Sequence, residues 1–472
     1  MGAGAIVNME GKMKEYDIII VGAGASGVFM SYELTKIKNS AKVLMIDKGK
    51  TLASRICPIS SGKVETCIMC TPCHIMNGYG GAGTLSDGKY NITTQFGGDL
   101  HQYLGVNKAI GLMEYVDEVL CSMGGGDARL YSTASSELKT IALRNNLHLL
   151  DAKVRHLGTD RNFKILGKIF DFTKERIDTE FDTALTDAEA LPDGRYILKT
   201  DKGEEYTCRE LVLAAGRSGS KWISAVCDKM GINQKKNRVD IGVRVELPGV
   251  IFKHITDDVY ESKIVYKTDK YNDMVRTFCM NPYGEVVTEN TNGIVTVNGH
   301  SYSDPALRTE NTNFALLVSN TFTEPFRDSN EYGESIARLS NMLGGGVLLQ
   351  RFGDLVKGRR SSERRMEKCF TRPTLKATPG DLSLVIPKRQ LDNIIEMIYA
   401  LDKIAPGTAN EDTLLYGVEV KFYNSKVKVD ANLETDIKNL YILGDGSGVT
   451  HSLSQASASG VHVARILADK YK

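Results

Sequence analysis

Residues 16–47 restrict this chain more than any other segment. A continuous apolar run, YDIIIV at 16–21, ends in the turn GAGASG at 22–27. A helical pattern follows through Val28, Tyr32, Leu34 and Ile37, and a second buried strand at 42–46 closes on Asp47. Strand, tight turn, helix and strand within about thirty residues make a βαβ unit, which implies a parallel sheet. The three glycines have separate roles. Gly22 allows the turn, Gly24 lets a diphosphate approach the backbone, and Gly27 permits close packing of helix on strand. Ala25 and Ser26 open the helix, where free N–H groups and the helix dipole favour negative charge. Asp47 follows Gly27 by twenty residues, with Lys48 beside it. At a strand end its carboxylate can accept from both ribose hydroxyls. The pattern predicts a dinucleotide site.

At 472 residues the chain is too long for one core, which suggests about two to three domains. Hydrophobic residues at 42% and charged residues at 25% are ordinary for globular chains and exclude disorder or a coiled-coil rod. Lys and Arg total 59 against 58 Asp and Glu, so no global field recruits nucleic acid or an anionic membrane. No run approaches the ~18–20 apolar residues of a membrane span. Residues 1–13 read as a disordered leader without a secretory pattern, so a cytoplasmic location is expected.

The 45 glycines cluster at 22–27, 78–88, 124–126, 344–346 and 444–448, as where backbone approaches backbone or ligand. Helical patterns occupy 108–122 and 136–145. Strand candidates follow at 147–154, 177–185, 196–200, 205–208 and 210–215, where the period shortens towards two. From about 236 to 410 the pattern changes, with strands at 238–245 and 294–298 and helical segments at 314–320, 335–343 and 391–404. The strand 439–443, the loop GDGSG at 444–448 and a final helix close the chain. The expected fold is α/β, a Rossmann-like domain built from 14–235 and 411–472. It has a parallel sheet with a βαβ unit plus a β-meander, and an α+β substrate domain is inserted at 236–410.

Four segments carry a family resemblance: the 22–27 turn, the block NGYGGAGTLSDGK at 77–89, RTFCM at 276–280, and GDGSG at 444–448. With them the chain resembles the poorly characterised bacterial and archaeal FAD-dependent dehydrogenases of the glutathione-reductase-like flavoprotein superfamily, over most of its length from about Tyr16. The resemblance implies FAD held by both ends of the chain. The strand 211–215, running through Ala215 into Gly216 and Arg217, looks like the crossover that packs on the first Rossmann unit. By similarity, Gly444 and Asp445 would bind the ribityl chain and outer phosphate. Gly81, Ala82 and Gly83, then Ser86, Asp87, Gly88 and Lys89, would pass along the pyrophosphate and flavin ring, and Val154 would also contact the cofactor. A helix starting near Val449 would aim its positive end at the flavin edge where negative charge develops on reduction. Many relatives have small residues where this chain has His451.

Cys57, Cys67, Cys70 and Cys73 place four thiols within seventeen residues. The C-x2-C-x2-C spacing fits [4Fe–4S] ligation, although the ferredoxin pattern puts its fourth Cys after the triplet. A zinc site, a redox dithiol and a set of small buried hydrophobes are the other readings.

The candidate catalytic residues are four. Arg276 would hold a substrate carboxylate in a bidentate pair, and Cys279 reads as a donor or a packed thiol. His451 would serve as acid or base near neutral pH, or simply start a helix. Lys89 would reach flavin N5 or O4, or lie in solvent. No second G-x-G-x-x-G occurs between 220 and 440, so electrons would come from transiently bound NAD(P)H, a carrier protein or the substrate. The expected activity is FAD-dependent hydride transfer to or from a small organic molecule. The alternative is an electron-transfer flavoprotein coupling FAD to an iron–sulfur centre.

Overall fold

A computed structural model describes residues 13–472 except 59, 60, 65–67, 69, 135, 292, 303, 324 and 327. The leader expected at 1–13 therefore lies outside the described residues apart from Met13.

The βαβ unit forms as its sequence requires. The strand Lys14–Val21 is followed by the helix Ala25–Ile37 and the strand Val43–Ile46, which pairs parallel with the first. Both strands end in four buried residues, because each sheet face is covered. Ile177–Glu180 extends the sheet on one side, and Glu205–Leu213 pairs parallel with the first strand on the other. Leu185–Ala190, Tyr196–Thr200 and the start of Glu205–Leu213 make the antiparallel meander. Leu440–Ile442, from the far end of the chain, pairs parallel with residues 211–213. The two chain ends share one sheet.

The final helix, Leu453–Lys470, lies against the first helix. The crossing is close because Gly460 has no side chain, and a Cβ there would stand 2.1 Å from the Ser26 carbonyl oxygen. Around this pair pack Val106–Leu120 and Thr159–Thr173. The second of these helices was not read from the sequence, since it interrupts a stretch otherwise of strand period.

The inserted unit is an eight-stranded sheet. Its order is Thr378–Pro379, Leu348–Arg351, Leu414–Phe422, Val239–Pro248, Asn311–Asn320, Met274–Asn281, Ile264–Lys267 and Leu147–Leu149. Two expectations change here. Residues 314–320 are strand, not helix: Asn311–Asn320 is paired on both sides, and a short apolar run buried on both faces carries no period to separate the two states. The chain also returns to the first sheet after Phe422, not at 411, because Leu414–Phe422 is an inner strand of the inserted sheet.

This sheet has two unlike faces. Ile241, Val243, Val245, Val275, Phe314, Leu316, Val318, Val418 and Val420 point one way, into a core closed by helices Gly249–Val259, Ser329–Gly344 and Lys388–Asp402. The alternate positions on the other face include Asp240, Arg244, Arg276, Phe278, Asn313, Ser319, Glu419 and Lys421. Strand periodicity of two produces this segregation directly.

No helix among the described residues is long and apolar enough to cross a membrane.

The helix crossing yields a prediction with a definite sign. In an exposed helix, Gly→Ala stabilises by about 1 kcal/mol. Gly460→Ala should instead destabilise by about 3 kcal/mol through overpacking, read as a lowered urea midpoint.

Candidate functional site

Each glycine of the first turn meets the surroundings its role demands. Gly22 has φ +113°, and a Cβ there would lie 2.7 Å from the Ala214 carbonyl oxygen. At Gly27 a Cβ would lie 2.1 Å from the Gly22 oxygen. Gly24 has no atom within 4 Å of its Cβ position, and the helix it caps has no side-chain cap. A space therefore opens on the unpartnered N–H groups of Ala25–Ile37, as a diphosphate site requires.

Two distant glycine loops close over this turn. Gly80 N donates to the Ala23 oxygen at 2.7 Å, and a Cβ on Gly81 (φ +58°) would reach 3.0 Å from Gly24 Cα. Gly83 packs on Leu453, and Ser86 Oγ bonds the Gly83 oxygen at 2.8 Å. From the C-terminal side, Cβ atoms on Gly444 and Gly446 would lie 2.7 Å from Ser26 Oγ and 2.1 Å from the Ala215 oxygen. Gly216 opens onto free space. The hydroxyls of Ser454 and Ser457 are buried without a partner among the described residues. Unpaired buried hydroxyls beside an uncapped helix fit a polar ligand.

Asp47 is more occupied than the motif suggests. Its Oδ2 accepts from Ala23 N at 2.8 Å, and its Oδ1 accepts from Gly49 N at 2.7 Å and Gly78 N at 2.9 Å. It binds three backbone segments of the protein, which leaves about one of a carboxylate's four lone-pair sites for a ligand. Lys48 Nζ reaches the Ser218 oxygen at 3.1 Å. Val154 is buried in a small sheet, paired with Asn91 and Tyr131.

The 77–89 block is held by Arg55, a residue the sequence did not single out. Its guanidinium donates to the carbonyls of His74, Ile75 and Tyr79 and to Thr84 Oγ1, at 2.6–3.0 Å. Burial lowers Arg55 to about 10, so it stays charged at neutral pH. Only its position between two loops, visible in three dimensions, reveals the role.

The four catalytic candidates lie at the junction of the two units, where Arg276 and Lys89 are engaged by carboxylates and the Cys279 thiol is free. Arg276 is taken up by Asp240 and by the Tyr423 hydroxyl at 2.6 Å, so its carboxylate partner is internal. Tyr423 OH also donates to Asp240 at 2.7 Å. Lys89 pairs with Asp87 at 2.9 Å and Glu261 at 3.6 Å and donates to Met280 O. Burial opposes its charge, but the two carboxylates outweigh burial and raise its pKa. It bridges the 77–89 block to the inserted sheet and is not in open solvent. Cys279 lies in a bulge with φ +40°, its carbonyl accepting from Arg244 at 2.7 Å.

His451 precedes the last helix, which starts at Leu453 rather than near Val449. Residues 449–451 pair instead with 97–99, and His451 N donates to Gly97 O at 2.9 Å. Its ring meets Tyr423 edge-on at 4.7 Å. Burial, and then Arg238, lower it to about 4, so at neutral pH the imidazole is uncharged and resists protonation, unlike the acid or base near neutral pH expected from the sequence. Asp445 is raised to about 6 by burial, partly offset by Arg217.

Of the four clustered cysteines, Cys67 lies outside the described residues. Cys57, Cys70 and Cys73 are free and partly exposed. No group of three His, Cys, Asp or Glu among the described residues is placed to hold a metal ion.

Residues 239–422, which span the inserted sheet from Val239 to Phe422, match the family model described as "FAD-dependent protein, C-terminal domain-like". The search of curated proteins returns no match. Among solved structures, the chain is similar to glycine oxidase from Geobacillus kaustophilus at 12% identity, covering 98% of this chain and 96% of that one, TM-score 0.42. It is also similar to a putative FAD-containing monooxygenase from Photorhabdus luminescens at 13% identity, covering 96% and 89%, TM-score 0.40. Quinol fumarate reductase FrdA of E. coli shows 13% identity over 97% and 71%, TM-score 0.43. Likenesses of this strength speak to neither substrate nor chemistry.

Two predictions follow from the geometry. Arg55→Met strips donors from three carbonyls and should cost about 3 kcal/mol or more, measured by urea denaturation. For His451, the folded value of about 4 lies below the unfolded 6.5. The unfolded chain thus binds more protons between those values, so stability is full above pH 6.5 and falls as pH drops towards 4. His451→Asn should flatten that fall by up to about 3 kcal/mol, read from urea midpoints across the window.

Proposed function

We propose that this chain binds FAD across the junction of its two ends and is an oxidoreductase acting on a small organic substrate held by the inserted unit. The observation that carries this reading is the convergence of three glycine loops, around residues 24, 81 and 444, over one uncapped helix N-terminus. Three stretches of bare backbone from loops far apart in sequence thus meet at one helix N-terminus, which supports passage of a ligand's backbone-hugging portion there. The family description matched by residues 239–422 supports the same cofactor.

Bound flavin supplies hydride transfer at its N5 position. The protein's own residues set the conditions. Gly24 and the first helix turn would hold the diphosphate. Asp445, with Thr450, Ser454 and Ser457, would meet the hydroxyl-bearing chain. His451, uncharged at neutral pH, would serve as a neutral hydrogen-bonding group at the junction. Arg276, anchored by Asp240 and Tyr423, keeps a fixed positive charge there.

Gently isolated protein should carry about one FAD per chain by absorbance and mass spectrometry, and Asp445→Asn should lower that occupancy. NAD in its place, or no nucleotide and no uptake of added FAD, would overturn the reading. Anaerobic titration with NAD(P)H and with small organic reductants then identifies what reduces the flavin. Iron and zinc analysis of the same preparation tests the metal site expected at Cys57, Cys67, Cys70 and Cys73.

A further inference from the structure

The outer edge of the inserted sheet carries an excess of one charge. Residues 357–376 hold eight Lys and Arg against two Glu. The near-zero balance of the whole chain conceals this, because the remaining residues carry five more acids than cations. The segment leaves the sheet after Leu348–Arg351 and rejoins it at Thr378–Pro379, the two outermost strands on that side.

Its backbone is pinned at several points. Ser361 N donates to the Gly380 oxygen at 2.9 Å, and Ser361 Oγ donates to the buried Asp354 at 2.8 Å. Phe370 N donates to Asp412 at 2.8 Å, and Thr374 Oγ1 donates to Glu246 at 2.6 Å. Met366 and Cys369 are buried in a small core with Leu349, Leu414 and Tyr416. The cations between these anchors are carried on held backbone, so displaying them costs little further ordering.

The acids beneath the segment are already matched. Asp354 meets Arg351, Arg359 and Arg365, Asp412 meets Arg351, and Glu411 meets Lys357. Glu246 is satisfied by Thr374, Asn311 and the Tyr416 hydroxyl. Arg360, Arg364, Lys368, Arg372 and Lys376 are exposed and have no ion-pair partner among the described residues. The acids left beside them are Glu363, Glu367 and Asp381, which caps the turn at 382–384.

Large apolar side chains stand among these cations. Phe370 lies between Lys368 and Arg372 and is 80% exposed, and Leu384, Val356 and Met342 are exposed at 64%, 47% and 73%. They sit on segments tied to the basic one. The Gln350 side chain bonds both Leu382 N and the Arg359 oxygen, Gly353 N donates to the Glu411 oxygen, and Thr378 Oγ1 donates to the Gly344 oxygen.

We propose that this edge docks on an anionic lipid surface, its unpaired cations against the headgroups and Phe370 inserted at the interface. Such a surface takes up both features at once: it attracts Lys and Arg held near it, and it buries apolar area. A single-stranded nucleic acid would use the cations and the Phe370 ring, but Leu384, Val356 and Met342 offer no flat face on which a base could stack. The net acidity of the remaining chain is repelled by the same surface, so this edge is the one turned towards it. The inference goes beyond the flavin reading and needs no bound cofactor.

The test is co-sedimentation of the full chain as isolated with vesicles of phosphatidylcholine alone and of phosphatidylcholine mixed with phosphatidylglycerol. The chain should sediment with the mixed vesicles and not with the neutral ones, and high salt should release it. Arg364→Ser should lower partitioning about fivefold, and Phe370→Ser about tenfold. Both side chains are exposed, so an unchanged urea midpoint shows that each variant still folds. Arg209→Ser, which removes an exposed cation from the flavin-binding unit, should bind like the parent. No binding to mixed vesicles, equal binding to both kinds, or parental binding by either Arg364→Ser or Phe370→Ser would overturn the proposal. Retention of poly(U) RNA without vesicle binding would assign the patch to nucleic acid and overturn it too. Because the readout is independent of flavin content, its failure leaves the oxidoreductase reading standing.

Discussion

The contact on which the rest depends is backbone against backbone where the two ends of the chain meet. Gly460 lets the last helix rest on the Ser26 carbonyl, Gly446 lets the late loop rest on Ala215, and Gly22 lets the first turn rest on Ala214. Each is a place where a single methyl group would collide with main chain. Main chain moves only as a whole element, so the loss cannot be absorbed by a rotamer change. The first helix, the crossover strand and the C-terminal loop are therefore set in register by absence of side chains. The same close approach leaves Gly24 facing open space over free N–H groups.

The inserted sheet solves a different problem. Its strands must cover helices on one face and line a polar junction on the other, and strand alternation does this at no cost in backbone geometry. The expense lies in desolvating so many charges. It is limited because each buried acid meets a cation or hydroxyl: Asp240 has Arg276, Tyr423 and Ser319, and Glu419 has Arg244. Removing one member would strand its partner in a dry setting. The junction is thus densely paired as well as charged.

Much of the nucleotide-binding half was legible beforehand. The βαβ unit, the meander, the crossover at 211–215 and the return strand near 440 all appear where pattern and glycine spacing put them. Residues 314–320 fall on a strand buried on both faces, where the apolar run shows no period, and the boundary at 411 precedes an inner strand, Leu414–Phe422, not read from the sequence. The helix Thr159–Thr173 lies between strands and was masked by them. Arg276, His451 and Lys89 were recognised as important residues, but their partners Asp240, Tyr423 and Glu261 come from other strands and loops.

What the sequence determined by itself is local. Glycine spacing dictates a turn wherever it follows a buried strand, because steric exclusion acts within a few residues. Charged residues stand at alternate positions in the sequence itself, as in Asp240 to Arg244 and Glu419 to Lys421. The tertiary structure alone decided which charges neutralise one another. Coulomb energy depends on separation through space and on local water, and neither is written in residue order. Asp47 shows the difference within one residue: its place at a strand end was readable, while its three amide partners were set by loops folded in from elsewhere.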